Sequence, residues 1–210
     1  MSEESVAERS MTYGSLEIRY DDRVLRPRPW TTAQSLWGAE LLRGGPTGPV
    51  LELCCGAGQI GLLTVAHEPR PLVCVDLNPV AGHFTRRNAV SAGLSELVEI
   101  REGAITQVLR AQDRFALVLA DPPWVRRSET DRFPEDPLVA IDGGDDGLSV
   151  AWECVAAAAG HLVPGGSALL QLGSTAQADA IAAGAPSYGD LHVTEVRAYD
   201  GGVVALLRRD

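Results

Sequence analysis

The sequence predicts an α/β fold in which a mostly parallel, doubly wound sheet ends in an antiparallel hairpin. Short apolar runs alternate regularly with amphipathic segments, as in a parallel sheet covered by helices. Gly56, Gly58 and Gly61 have the G-x-G-x-x-G spacing with which a strand turns sharply into a helix. Near the end of the chain, two alternating runs are joined through Asp200-Gly201-Gly202, which is typical of a hairpin turn.

Residues 1–45 are expected to form an arm ahead of the main domain, which is predicted to span residues 46–210. After a disordered start, the alternation in "SLEIRY" predicts a strand that turns at Asp21-Asp22 and resumes in "RVLRPRP" as a short hairpin. From Thr32 to Arg43 the apolar spacing is helical, and Thr31 or Thr32 is placed to cap the start of that helix.

The main domain reads as strands separated by helices. Its predicted parallel strands are "PVLEL", "PLVCVD", "LVEI", "ALVLA" and "SALLQL". The helix after the second strand is well delimited, because Asn78 can cap it, Pro79 fits its first turn and Gly93 stands where it should stop. "LHVTEVRAYDGGVVALLRRD" predicts the closing antiparallel hairpin.

The composition excludes several classes of enzyme and partner. All 18 basic residues are arginine, so no lysine is present for a Schiff base, a pyridoxal phosphate anchor or a phosphate-binding P-loop. The net charge of −10 disfavours a nucleic acid partner, because such proteins usually present a basic face. The four cysteines lack metal-site spacing and are expected to be reduced core thiols, with no metal bound.

The chain shows neither a leader nor a membrane segment. Its first ten residues, "MSEESVAERS", are polar and acidic, and no apolar run approaches the length of about 18 residues that a membrane helix needs. We therefore expect a cytoplasmic protein without a membrane partner.

The glycine-rich segment predicts a nucleotide site but does not identify the nucleotide. Asp76 ends the second strand about 20 residues after Gly56, where a carboxylate can accept hydrogen bonds from two ribose hydroxyls. This pattern fits NAD and S-adenosylmethionine equally well. Two other features favour the methyl donor: the carboxylate of Glu52, which would attract its cationic amino-acid end and repel a pyrophosphate, and the segment "ADPPWV".

Asp121-Pro122-Pro123-Trp124 suits methyl transfer to a planar nitrogen. The prolines rigidify the backbone, so the Asp121 carboxylate and the Pro122 carbonyl can both accept from one NH2 group. These two hydrogen bonds would turn the nitrogen lone pair toward the methyl group, while Trp124 stacks on the flat acceptor and excludes water. The alternative is a rigid turn followed by a core tryptophan.

At these residues the sequence resembles the HemK-type family, the release-factor glutamine methyltransferases. The resemblance runs through "YGSLEIRYDDRVLRPRPWTT", "LELCCGAG", "DLNP", "DPPW" and "AIDGGDDGL". It implies a Rossmann-like class I methyltransferase fold with a seven-stranded sheet, and N-methylation of a protein glutamine amide. It also implies S-adenosylmethionine as cofactor, with S-adenosylhomocysteine as product.

The motif and the resemblance together assign the site residues. Donor binding is assigned to Glu52, Cys54, Cys55, Gly56, Ala57, Gly58, Asp76, Leu77, Gly103, Ala104 and Asp121. Catalysis is assigned to Asp121, Pro122 and Trp124, and acceptor binding to the same residues with Pro123 and Arg28. Ala104 stands where many class I enzymes carry an acid that reaches the adenine, so adenine contacts are expected from the backbone of Gly103 and Ala104.

Two departures from the family leave the acceptor open. Asp121 stands where the family carries Asn. An aspartate at this place is similar to enzymes that methylate exocyclic amines of nucleobases. We also expect the protein to lack the helical domain that precedes the catalytic domain in bacterial release-factor enzymes. The acceptor is therefore a release-factor-like protein, recognised directly or through a small partner subunit, or else a small metabolite or nucleobase amine. An NAD-dependent oxidoreductase and a catalytically silent binding module are more distant alternatives.

Overall fold

The computed structural model describes residues 7–209. Residues 1–6, in the start that was expected to be disordered, lie outside this range, whereas residues 9–13 form a strand rather than disordered chain. Within the described residues, no helix is both long and apolar enough to cross a lipid bilayer.

The arm begins with a hairpin whose position differs from the prediction. Strand β1 (Arg9–Tyr13) pairs antiparallel with β2 (Leu16–Tyr20), and Gly14 enters the turn with a φ of +59°. The predicted turn is present, since the Val24 N–H donates to the carbonyl of Asp21 at 3.2 Å and the Asp21 carboxylate accepts from the Arg23 N–H at 2.9 Å, but it follows the hairpin instead of joining its strands. The chain beyond it is not a strand.

Helix α1 (Thr32–Gly44) confirms the predicted helix of the arm, but not its cap. A 3-10 turn (Pro29–Thr31) runs directly into the helix, so no threonine hydroxyl caps it. The Thr31 hydroxyl instead donates to the carbonyl of Arg28 at 2.8 Å.

A seven-stranded sheet forms the centre of the molecule. Its strands are β3 (Val50–Leu53), β4 (Leu72–Asp76), β5 (Val98–Glu102), β6 (Phe115–Ala120), β7 (Leu162–Leu172), β8 (Leu191–Tyr199) and β9 (Gly202–Arg209). They lie in the order β5-β4-β3-β6-β7-β9-β8. The first five are parallel, and β9 pairs antiparallel with β7 and β8. The predicted fold class, including the antiparallel hairpin at its end, is confirmed.

Helices cover both faces of this sheet. They are α2 (Gln59–His67), α3 (Pro79–Ser91), α4 (Ile105–Val108), α5 (Leu138–Ile141), α6 (Ser149–His161) and α7 (Thr175–Gly184). The limits of α3 are those predicted: the Asn78 side chain accepts from the Val80 N–H at 2.9 Å, and Gly93 follows the helix with a φ of +70°.

The arm packs into the core of the main domain. Tyr13, Ile18 and Trp37 are buried in one apolar cluster with Val50 and Leu62 of the sheet and helices. The division at residue 45 stays a prediction, and the arm contributes side chains to the same core.

Parallel strands bring the motifs to one edge. The carboxyl ends of β3, β4 and β6 are adjacent in the sheet, and each is followed by a segment that the sequence singled out. In open α/β sheets this edge, where the strand order reverses, is where ligands bind.

Candidate active site

The loop after β3 is folded tightly across the ends of the strands. Cys54 starts it with a φ of +57°, the single left-handed non-glycine residue of the described chain. The Cys55 N–H then donates to the carbonyl of Val75 at 3.1 Å, and the Gly58 N–H to the carbonyl of Cys55 at 2.7 Å. These bonds hold the glycine-rich turn against the end of β4.

Asp76 fixes the same loop from the end of β4. One carboxylate oxygen accepts from the Gly56 N–H at 2.8 Å and the other from the Asn78 N–H at 2.8 Å. Burial raises the pKa of Asp76, and the backbone donors counter that effect. Each oxygen has lone pairs to spare, so the carboxylate can still accept from a bound ligand.

A cavity opens beside this loop; we call it the loop cavity. Its walls include Val24, Leu25, Cys54, Gly56, Gln59, Asp76, Leu77, Asn78, Asp121, Pro123, Val139 and Ala140. Five of the residues assigned to donor binding are among them: Cys54, Gly56, Asp76, Leu77 and Asp121. The others lie around the loop rather than in the wall: Glu52, Cys55, Ala57, Gly58, Gly103 and Ala104.

Glu52 lies beneath the loop rather than in the wall of the loop cavity. It is 2% exposed, and its carboxyl contacts the backbone of Gly61 and the thiol of Cys74, which donates at 3.4 Å. Burial raises the pKa of Glu52 to about 8. Its contacts to Gly61 and Cys74 indicate that it supports the loop, and its attraction of the cationic end of the donor stays a prediction.

Three more of the residues assigned to donor binding contact other parts of the protein instead of lining the loop cavity. A β-carbon on Gly58 would lie 2.7 Å from the Thr85 side chain, so this glycine permits close packing of the loop on α3. The Gly103 N–H donates to the carbonyl of Asp76 at 2.9 Å, and Ala104 precedes the short helix α4. Neither Gly103 nor Ala104 lines the loop cavity.

A second cavity adjoins the first at Asp121; we call it the tryptophan cavity. Its walls include Arg28, Trp30, Asp121, Pro122, Trp124, Phe133, Glu135, Asp136 and Gln171. Leu25, Asp121 and Ala140 line both cavities. Asp121 is the polar residue of these three, and it therefore stands where the contents of the two cavities would meet.

Two tryptophans of the tryptophan cavity rest on glycines. A β-carbon on Gly173 would overlap the ring of Trp124, and one on Gly201 would overlap the ring of Trp30. Both glycines are thus needed for the close approach of an aromatic ring to the backbone. The resulting walls are flat and apolar, which suits a planar group.

Charge in the tryptophan cavity is mixed. Arg28 donates to Asp136 at 2.6 Å, and the Asp136 side chain is 5% exposed. Burial raises the pKa of Asp121 to about 7, although the Arg28 charge and a hydrogen bond from Gln171 act in the opposite direction. The pKa of Asp121 therefore lies well above that of an exposed aspartate, close to neutral pH.

The motifs in this edge of the sheet have counterparts in a known family. The model of the methyltransferase small domain matches residues 39–181, well over half of the chain. This chain belongs to the methyltransferase small domain family.

Curated relatives of this methyltransferase small domain support the resemblance to the HemK-type family. The release factor glutamine methyltransferase of Deinococcus radiodurans is 34% identical over 165 residues, which is 76% of this chain and 58% of the relative. The ribosomal protein uL3 glutamine methyltransferase of Bradyrhizobium diazoefficiens is 31% identical over 171 residues, which is 75% of this chain and 53% of the relative. The chain thus spans a little over half the length of these proteins.

Solved structures agree on the fold. The ribosomal protein L11 methylase of Lactobacillus delbrueckii subsp. bulgaricus superposes with a TM-score of 0.65 at 10% identity, over 90% of this chain and 84% of that chain. This likeness supports the class I methyltransferase fold alone, because the sequence identity is only 10%.

The loop cavity fits the methyl donor of the methyltransferase small domain family. A β-carbon on Gly56 would point into open space, with the Gln59 side-chain oxygen 4.0 Å away as its sole neighbour. That oxygen is buried and has no hydrogen-bond partner, so it is free to accept from a ligand. With Asp76 in the same wall, the cavity offers a bare backbone and two acceptors to a nucleoside that carries an ammonium group.

Replacing Asp76 by alanine is expected to weaken S-adenosylmethionine binding by about 1.5 to 3 kcal/mol, the scale of a lost charge-assisted hydrogen-bond pair. Calorimetry measures the change. Asp113→Ala is the matched control, because Asp113 likewise accepts from a backbone N–H, that of Arg110 at 2.8 Å, but lies outside the loop cavity. Equal donor affinity in the two variants would show that the ribose is held elsewhere.

Several residues in the walls of the two cavities were not predicted from the sequence. Gln59 follows Gly58 directly, and a polar residue at the start of the apolar segment "QIGLLTVA" was a usable signal. Gln171 is a polar residue inside the apolar run "SALLQL", which is a second such signal. Trp30 lies in the quoted Pro-Arg-Pro segment, two residues after Arg28, whereas Phe133 lies outside every motif and gave no signal.

Proposed function

We propose that this chain transfers a methyl group from S-adenosylmethionine to the side-chain amide nitrogen of a protein glutamine. The observation that carries the proposal is the place of Asp121, in the wall of the loop cavity and of the tryptophan cavity at once. A group that orients the acceptor must lie where donor and acceptor meet. Family membership supports the coarser statement that the chain is an S-adenosylmethionine-dependent methyltransferase.

The residues of the site suit alignment rather than strong base catalysis. When bound, S-adenosylmethionine supplies a methyl group on a positively charged sulfur. Asp121 and the carbonyl of Pro122 accept the two N–H bonds of the acceptor, which directs the nitrogen lone pair toward the loop cavity. Trp30, Trp124 and Phe133 provide apolar walls that hold a flat acceptor and exclude water.

A protein acceptor is supported by the relatives, which are named for methylation of a release factor and of ribosomal protein uL3. The chain spans a little over half the length of these relatives. The proposal is that this domain recognises such an acceptor directly or through a small partner subunit. Arg28 remains assigned to acceptor binding, although its guanidinium already pairs with Asp136.

A second candidate function is N-methylation of a small metabolite or of a nucleobase amine. The observation that favours it is the identity of residue 121. An aspartate, unlike an asparagine, can carry a negative charge, and a carboxylate stabilises an amine that becomes cationic as it gains a methyl group. The raised pKa of Asp121, about 7, leaves this charge available at neutral and higher pH.

Calorimetry followed by acceptor screening tests the proposal. We expect S-adenosylmethionine to bind and NAD to show no binding. With isotope-labelled donor, we expect methyl transfer to release factor or to uL3, and loss of transfer when the target glutamine is replaced by alanine. Transfer to nucleosides or free amines but not to either protein would establish the second candidate. Binding of NAD alone would refute both.

A further inference from the structure

Gln171 is the immediate neighbour of Asp121 across the sheet. In the parallel register of β6 and β7, Ala120 pairs with Leu170, so Asp121 and Gln171 come next as a pair. Paired residues of a parallel ladder point to the same face. Gln171 is 2% exposed and lines the tryptophan cavity together with Asp121.

The Gln171 amide is only half satisfied. Its side chain shares a cavity wall with the Asp121 carboxyl, and as a donor toward that carboxyl it lowers the pKa of Asp121 against the effect of burial. Its own oxygen, Oε1, is buried and has no hydrogen-bond partner. A buried, unpaired carbonyl is unfavourable, which calls for a ligand or a second arrangement of the side chain that satisfies it.

We propose that Gln171 is the positioning residue for Asp121, and that its amide holds the Asp121 carboxyl in one orientation in both of its charge states. When Asp121 is charged, the Gln171 NH2 group donates to it. When Asp121 is neutral, a half-turn of the amide presents Oε1 to the Asp121 O–H, so the unpaired oxygen gains its partner. The other carboxyl oxygen of Asp121 stays available to the acceptor NH2 group either way.

Arg28, the other group that lowers the pKa of Asp121, cannot play this part. The charged or titratable residues that interact with Asp121 or share its cavity are Arg28, Tyr13, Glu52, Cys54, Glu135 and Asp136. Arg28 can serve only as a donor, and it already donates to Asp136. The amide of Gln171 contains both a donor and an acceptor, and it has no other hydrogen-bond partner among the described residues.

Titration of the Asp121 carboxyl in donor-free protein tests the proposal. Carbon-13 NMR of labelled aspartates reports the charge state, and the spectrum of Asp121→Asn assigns the signal. We expect Gln171→Leu to move the midpoint of Asp121 upward by about one pH unit, since a charged acceptor loses more than a neutral one when its hydrogen bond is removed. Gln171→Glu keeps the shape and adds a like charge, so it should move the midpoint upward as well.

Gln34 provides the matched control. It is also fully buried, its amide donates to the carbonyls of Ala120 and Leu169 at 3.1 and 3.0 Å, and its Oε1 is likewise unpaired. Gln34→Leu therefore removes an equivalent buried amide beside the same two strands without a hydrogen bond to Asp121. We expect an unchanged Asp121 midpoint. Equal midpoints in the wild type, Gln171→Leu and Gln171→Glu, or equal shifts in Gln171→Leu and Gln34→Leu, would overturn the proposal.

Single-turnover rates separate positioning from general damage, and this part rests on the proposed function. Gln171→Leu should slow methyl transfer about tenfold while donor affinity stays within twofold, and it should add no further loss in an Asp121→Ala background. Additive losses would count against a joint role. If the wild type methylates no acceptor at all, the proposed function fails, but the NMR titration still decides whether Gln171 partners Asp121.

Discussion

Asp121→Ala is expected to lower single-turnover methyl transfer about a hundredfold or more, while S-adenosylmethionine affinity stays within a few fold. The size is that of losing one oriented hydrogen-bond group in a transition state, on the order of 3 kcal/mol. Donor affinity should persist because Gly56, Asp76 and Gln59 are unchanged in the loop cavity. Circular dichroism controls for folding. A wild-type rate in the variant would show that Asp-Pro-Pro-Trp forms a rigid turn and does not orient the acceptor.

Asp121→Asn then distinguishes the two candidate acceptors. Asparagine keeps one acceptor oxygen and loses the charge, so an amide acceptor should tolerate it, whereas an amine should lose most of its rate. The pH profile gives the same distinction: with an amine, the wild-type rate should rise as pH passes about 7, because Asp121 becomes charged there, and Asp121→Asn should abolish that rise. A rise that persists in Asp121→Asn would assign the titration to another group.

Gly56→Val is expected to weaken S-adenosylmethionine binding beyond the range of calorimetry. A β-carbon at this position points into the loop cavity, and the branched side chain would occupy the space of the donor. The glycine also has a φ of +53°, so the substitution strains the backbone by about 1 to 2 kcal/mol.

Gly93→Val separates these two effects. Gly93 has a φ of +70°, and a β-carbon on it would meet nothing within 4 Å. Both variants should therefore show a similar fall in melting temperature, measured by circular dichroism, but only Gly56→Val should lose donor binding. Retained binding in Gly56→Val, or equal loss in both, would mean that the loop does not touch the donor.

Local patterns were sufficient for most of the main domain. The period of the apolar runs determined the strands, and the capping residue Asn78 with Gly93 determined the limits of α3, because these signals act within a few residues of the chain. The spacing of Gly56 and Asp76 likewise placed a carboxylate beside the loop. The predicted hairpin near Asp21 failed because its alternating pattern did not show which neighbouring segment pairs with β2.

Tertiary structure decided the rest of the candidate site. The chemical type of Glu52 could be read from the sequence, but only packing shows that its carboxyl lies buried beneath the loop, against Gly61 and Cys74. The neighbours of Asp121 come from distant segments, with Trp30 from the arm and Gln171 from β7. The sequence by itself determined the fold class and the motifs, whereas direction, burial and charge depend on long-range pairing, because desolvation and hydrogen bonding act only once remote segments are in contact.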